Sequence, residues 1–198
     1  MANPSLVLEK TEARDSLRKQ IRALGDEQRA SLSCQISDRI IRWILERGEY
    51  RKIGIYAALA GEVDLSSVPY ALGDSREFSY PLVVADGLRF FKVEDTSGLR
   101  VGSFGILEPD PRIHAPTSPA DIDLCLCPGL GFSPNGTRLG RGMGYYDSLL
   151  PNLMPEAPLI GVAFGVQIQR SLPSEHHDVP MSHLATESGI TPTRATAS

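Results

Sequence analysis

Residues 122–127 read Ile122-Asp123-Leu124-Cys125-Leu126-Cys127 and run directly into Pro128-Gly-Leu-Gly-Phe-Ser-Pro-Asn-Gly-Thr-Arg-Leu-Gly-Arg-Gly-Met-Gly-Tyr-Tyr-Asp147. A short apolar run bounded by turn residues is the pattern of a strand buried on both faces, as in a parallel sheet. Proline and glycine end it, and six of the chain's 18 glycines then fall within the sixteen positions from Gly129 to Gly144. A helical segment is expected around residues 145–150. Strand, loop and helix in that order form the unit of an α/β fold whose ligands gather beyond the carboxyl ends of its strands.

The same pattern recurs on both sides. Residues 52–58 form a short run with β-branched residues leading into the loop Leu59-Ala-Gly-Glu-Val-Asp64, and residues 159–164 form another. Asp64 or Ser66 is placed to start a helix. Residues 77–82 and 88–93 read as strands separated by the turn Asp86-Gly87, and the Gly- and Pro-rich residues 96–120 read mostly as loop. Toward the N-terminus two helices are expected. Asp26 is the candidate N-cap of the second, Ile36, Ile40, Ile41, Ile44 and Leu45 are its apolar stripe, and Gly48 is its C-cap. The expected architecture is α/β, a mainly parallel sheet flanked by helices, as one domain over residues 1–190 with a frayed tail at 191–198.

At 198 residues, 41% hydrophobic and 22% charged, the chain has the composition of a globular domain able to bury a continuous core. No apolar run approaches the roughly 18 to 20 residues of a membrane span. A net charge of −4, without long basic tracts, gives nucleic acid little to bind. Residues 1–10 show no secretory leader, and three cysteines are an odd number for a disulfide framework, so a reducing cytoplasmic setting is expected, with the protein acting as a monomer.

The glycine-arginine loop carries the chemistry. Glycines let successive backbone N–H groups converge on an anion, Arg138 and Arg141 can bond phosphate oxygens, and the following helix start is expected to add its dipole. The loop is neither a P-loop nor a dinucleotide fingerprint, and composition alone also fits a mobile surface loop. Arg14 and Arg18 lie one helical turn apart, yet Lys19 and Arg22 make that face equally readable as solvated. Tyr56, Phe104, Tyr145 and Tyr146 are candidate stacking walls, and each alone is as readily a core residue. The four histidines show no zinc spacing, and Cys125 and Cys127 are expected to send their thiols to opposite faces of the strand, so neither group is assigned a ligand role. Ser133 does not sit in a nucleophile elbow.

The run from Asp123 to Phe132 with Gly136-Thr-Arg-Leu-Gly-Arg-Gly-Met-Gly-Tyr-Tyr-Asp147 closely resembles the signature of the 5-formyltetrahydrofolate cyclo-ligase family. The resemblance continues through the N-terminal arginine-bearing helix, Gly61-Glu-Val-Asp64, Phe104-Gly-Ile-Leu-Glu-Pro109, Ile160-Gly-Val-Ala-Phe164 with Gln167, His177-Asp178 and Thr186-Glu187, and so spans nearly the whole chain. It implies a Rossmann-like fold akin to the sugar-phosphate isomerase and CoA-transferase group. The implied reaction turns 5-formyltetrahydrofolate and ATP into 5,10-methenyltetrahydrofolate, ADP and phosphate. Arg14, Arg18 and Arg138, Leu139, Gly140, Arg141, Gly142, Met143, Gly144, Tyr145 and Tyr146 would contact ATP, with Arg138 and Arg141 catalytic. Tyr56, Glu62, Phe104 and the loop from Arg141 to Tyr145 would hold the folate, and Asp147 and Asp178 would bind Mg²⁺.

The chain departs from the family pattern at four places. Relatives carry aspartate where Ser133 stands, lysine or glycine at Met143, lysine at Arg14 and often aspartate at Ser182. Arg14 keeps the charge, but loss of an acid at Ser133 is expected to weaken metal binding or loop anchoring. A second reading is therefore a catalytically silent nucleotide- or folate-binding regulator of the same fold.

Overall fold

The computed structural model describes residues 4–194 except Asp86, Ser103, Phe104, Ile106 and His177. Two long helices open the chain, α1 (Pro4–Ala23) and α2 (Asp26–Arg47). Gly25, not Asp26, is the N-cap of α2, and Gly48 closes it with φ 68° and an N–H donating to the Ile44 carbonyl at 3.0 Å. Ile36, Ile40 and Ile44 are fully buried, whereas Leu45 is 57% exposed. Trp43 takes its place against the core, because the buried stripe follows spacings of four, three and one residues around one side of the helix. Two shorter helices are α3 (Ser67–Leu72), with Ser66 as N-cap, and α4 (Tyr145–Leu149).

The strands are β1 (Lys52–Gly54), β2 (Glu77–Val84), β3 (Gly87–Lys92), β4 (Arg100–Val101), β5 (Leu107–Glu108), β6 (Pro116–Thr117), β7 (Leu124–Cys127), β8 (Gly131–Phe132), β9 (Arg138–Leu139), β10 (Leu159–Val162), β11 (His183–Thr186) and β12 (Gly189–Pro192). An eight-stranded sheet has the order β12-β11-β10-β7-β1-β2-β3-β6. Its centre, from β11 through β10, β7 and β1 to β2, is parallel, and the outer pairings at both edges are antiparallel. The expected mainly parallel sheet flanked by helices is what forms.

Alternation along β7 divides the core between two faces. Leu124 and Leu126 pack with Ile36, Ile40 and Ile44 of α2, while Cys125 and Cys127 pack on the other side with Phe90, Phe132 and Leu149. The expectation that the two thiols point to opposite faces is wrong: residues two apart on a strand share a face, and their Sγ atoms lie 3.7 Å apart. The described part of residues 96–120 is mostly loop, as expected, with the two-residue strands β4, β5 and β6 set into it. Of the tail expected to fray at residues 191–198, Thr191 and Pro192 belong to β12 and the buried Thr193 donates its hydroxyl to the Met181 carbonyl at 2.7 Å, while residues 195–198 lie outside the described residues. Pairing with β11 supplies the backbone partners that composition could not reveal.

Candidate active site

Beyond the carboxyl ends of β1 and β7 lies a cleft of about 690 Å³. One wall is the loop after β1 with Tyr56, Leu59 and Glu62; the other is the glycine-arginine loop after β7. The N-terminal half of α1 roofs it with Val7, Lys10 and Arg14, and Pro81, Val83 and Leu88 from the β2–β3 pair give it an apolar side.

Local structure explains how the loop reaches the cleft. β8 and β9 form a hairpin whose turn is closed by the Ser133 N–H donating to the Thr137 carbonyl at 3.0 Å, which returns the chain to the end of β7 at Arg138. Glycine density here serves two purposes. A Cβ on Gly131 would stand 2.6 Å from Leu17 Cδ1, and Gly136 turns at φ 89° against the Met181 carbonyl, so these two permit packing rather than ligand contact. Gly129, Gly140, Gly142 and Gly144 line the cleft. Leu139, just before Gly140, buries its side chain with Leu17, Ile21 and Leu130, which seats α1 on the loop. Gln167, also buried, donates to the carbonyls of Gly129 (2.8 Å) and Leu130 (3.1 Å) and accepts from the Phe164 N–H (2.8 Å), tying the ends of β7 and β10 together.

Four ion pairs organise the charge. Arg138, only 7% exposed, donates from Nη2 to Asp147 Oδ1 at 2.6 Å, its guanidinium 5.4 Å from the Tyr146 ring centre. Arg141, more open, donates from Nε to Glu62 Oε1 at 3.0 Å, and the other Glu62 oxygen accepts the Leu59 N–H at 3.0 Å. Lys10 donates to Glu175 (2.8 Å) and Asp178 (3.1 Å). Burial acts to lower the Lys10 pKa, but the two carboxylates outweigh it and the ammonium ends above its ordinary value. Burial pushes the Tyr56 and Tyr146 phenols well above theirs, so both stay neutral, and Tyr56 donates its hydroxyl to the Val63 carbonyl at 3.0 Å.

Of the residues singled out in the sequence, Arg14, Tyr56, Glu62, Asp147, Asp178 and every position from Arg138 to Tyr146 line this one cleft. Arg14 is spent partly on the loop itself, donating from Nε to the Gly140 carbonyl at 3.0 Å. Arg18 does not reach the cleft; it pairs with Asp15 at 2.9 Å on the outer face of α1. Phe104 lies outside the described residues. Helix α4 has five residues, too few for the expected dipole at the loop's end to matter much. Ser133 is buried in the hairpin turn and Ser182 bonds the Leu159 backbone, so neither departure from the family pattern faces the cleft. Sequence reasoning missed Lys10, although its position one turn before Arg14 on the same helix face was available. Among the described residues the cleft's acids, Asp147, Asp178 and Glu175 among them, offer carboxylate oxygens, the donor type a hard cation takes, but no group of three or more lies close enough together to hold a metal ion.

The protein is thus a mainly parallel α/β sheet with a glycine-arginine loop, paired acids and an apolar side gathered around one cleft at its strand ends. A sequence model of the 5-formyltetrahydrofolate cyclo-ligase family matches residues 7–187, and the chain belongs to that family. The 5-formyltetrahydrofolate cyclo-ligase of Mus musculus is 27% identical over 187 residues, covering 88% of this chain and 91% of the relative. That of Haemophilus influenzae is 25% identical over 179 residues, 86% of this chain and 96% of the relative. Among solved structures, the 5,10-methenyltetrahydrofolate synthetase of Aquifex aeolicus superposes with a TM-score of 0.79 at 32% identity, over 92% of each chain. The synthetase of Mycoplasma pneumoniae shares the fold, with a TM-score of 0.74 at 24% identity over 90% of this chain and 99% of that one.

Proposed function

We propose that the chain closes 5-formyltetrahydrofolate to 5,10-methenyltetrahydrofolate at the expense of ATP. The observation that carries this reading is the meeting of Glu62 and Arg141 at 3.0 Å, which puts the expected folate acid and the expected phosphate arginine in one cleft. A formamide oxygen is a poor leaving group. Transfer of the γ-phosphoryl group to it, with ADP released, makes it a phosphate ester; the neighbouring folate amine then attacks the formyl carbon and phosphate leaves. Such a reaction asks the protein for alignment and charge neutralisation.

The cleft's residues suit both demands. Lys10, Arg14, Arg138 and Arg141 supply positive charge around the loop, Gly140, Gly142 and Gly144 allow backbone N–H groups to approach phosphate, and Pro81, Val83 and Leu88 offer apolar surface to a flat ring. Asp147 and Asp178 would hold Mg²⁺, with phosphate oxygens and water completing its shell, and the ion when bound would neutralise charge on the transferring phosphates. Both acids are already paired, with Arg138 and Lys10, so metal entry would share or replace those contacts. Among the described residues no helix is long and apolar enough to cross a membrane, and the thiols are free, Cys125 and Cys127 buried and Cys34 exposed, which fits a reducing compartment. We place the protein in the cytoplasm as a monomer.

The test is an absorbance assay with 5-formyltetrahydrofolate, Mg²⁺ and ATP. Wild type is expected to produce the methenyl chromophore only with all three present. Arg141→Ala and Asp147→Ala are expected to lose about 10²-fold or more in kcat. Tight calorimetric binding of nucleotide without any chromophore would instead make the chain a silent regulator.

A further inference from the structure

We infer that Glu62 is a positioning residue for Arg141: its sheltered carboxylate holds the guanidinium on the Glu62 side of the cleft, and a ligand that takes over Glu62 releases it. The inference rests on the folate-and-ATP reading and adds to it a coupling between the two substrates. Arg141 Nε donates to Glu62 Oε1 at 3.0 Å, and the Leu59 N–H fixes the other oxygen at 3.0 Å. The Glu62 side chain is 9% exposed and that of Arg141 38%, so the acid is the fixed, sheltered partner and the arginine the accessible one. A sheltered carboxylate left without its cation is costly, which ties Arg141 to Glu62 until another donor arrives. Arg141 stands between Gly140 and Gly142, the latter at φ 108°, on a stretch without regular structure, so the loop can re-aim it with little resistance. Arg14, bonded to the Gly140 carbonyl at 3.0 Å, anchors the base of that stretch.

Charge then couples the two halves of the cleft. A flat heterocycle presenting N–H donors to Glu62 replaces the guanidinium there, and the freed guanidinium finds its next partner in an anion on the loop. Each ligand therefore tightens the other by the same factor, as linkage requires.

Calorimetry with inorganic tripolyphosphate tests this without depending on turnover. Glu62→Gln is expected to bind tripolyphosphate about fivefold more tightly than wild type, the low end of ordinary coupling. In an Arg141→Met background the same change should have no effect. An unchanged or weaker affinity in Glu62→Gln overturns the inference, and so does a gain that persists without Arg141, because that gain would be simple loss of a negative charge. Wild type alone gives a second measurement, free of any folding defect in a variant. Saturating 5-formyltetrahydrofolate should tighten tripolyphosphate by a similar factor, and folate that binds without doing so overturns the inference. If the folate fails to bind at all, the proposed reaction falls, while the affinities of the variants still decide the role of Glu62.

Discussion

Arg138 and Arg141 stand three positions apart in sequence yet occupy different physical environments. The first is buried, bonded to Asp147 at 2.6 Å, and its Nε finds no partner among the described residues; the second lies at the rim. Removing either arginine strands its acid, but only Arg138 is itself buried, so its loss also leaves packing space behind. Arg138→Met is therefore expected to lower the stability measured by urea denaturation by about 2–4 kcal/mol, and Arg141→Met, which strands Glu62 but removes a partly hydrated cation, by less, about 1–2 kcal/mol. On the proposed function both lose turnover. Equal losses of stability would contradict the distinction. The sequence showed two arginines in one glycine-rich loop and could not rank them, because their difference lies in what surrounds each after folding.

At the scale of elements, α1 and the loop after β7 support each other. Leu17 and Ile21 rest on Leu130 and Leu139, and the same seating brings Lys10 and Arg14 over the cleft while turning Arg18 toward solvent. A methyl at Gly131 would press on Leu17 Cδ1 at 2.6 Å. Gly131→Ala is thus expected to cost about 1–3 kcal/mol, the range for overpacking. If the proposed nucleotide site is right, it also raises the KM for ATP more than that for folate, because α1 carries basic residues of the roof. Thermal melts and steady-state kinetics read the two effects separately. Sequence periodicity located both N-terminal helices and the central strands, since apolar spacing is local information. It did not settle which turn of α1 faces the cleft, because helix rotation is fixed by the Leu17 and Ile21 contacts with a segment more than a hundred residues away.

Over the whole molecule, the parallel centre of the sheet gathers at one end the loops after β1 and β7, while β11, next to the edge strand β12, carries His183 against α2. Burial first, and the nearby Arg47 second, depress the pKa of His183 below its ordinary 6.5, while its ring meets Trp43 edge-on at 5.5 Å. The sign follows directly. The unfolded chain binds this proton more readily, so the contribution of His183 is fully present above pH 6.5 and is lost as pH falls through the depressed folded value. Melting temperature is expected to drop across that acid window, and His183→Gln to flatten the drop; a variant as pH-dependent as wild type there would show that other groups govern it. The succession of helices and strands along the chain, most of the apolar stripe of α2 and the residue types of the glycine-arginine loop were legible in the sequence alone, because periodicity, glycine density and residue type act over a few neighbouring positions. The pairing of Arg141 with Glu62, 79 positions away, the withdrawal of Arg18 and the closure of the C-terminal edge by β12 came only with the tertiary structure, since each depends on segments that meet once the sheet has formed.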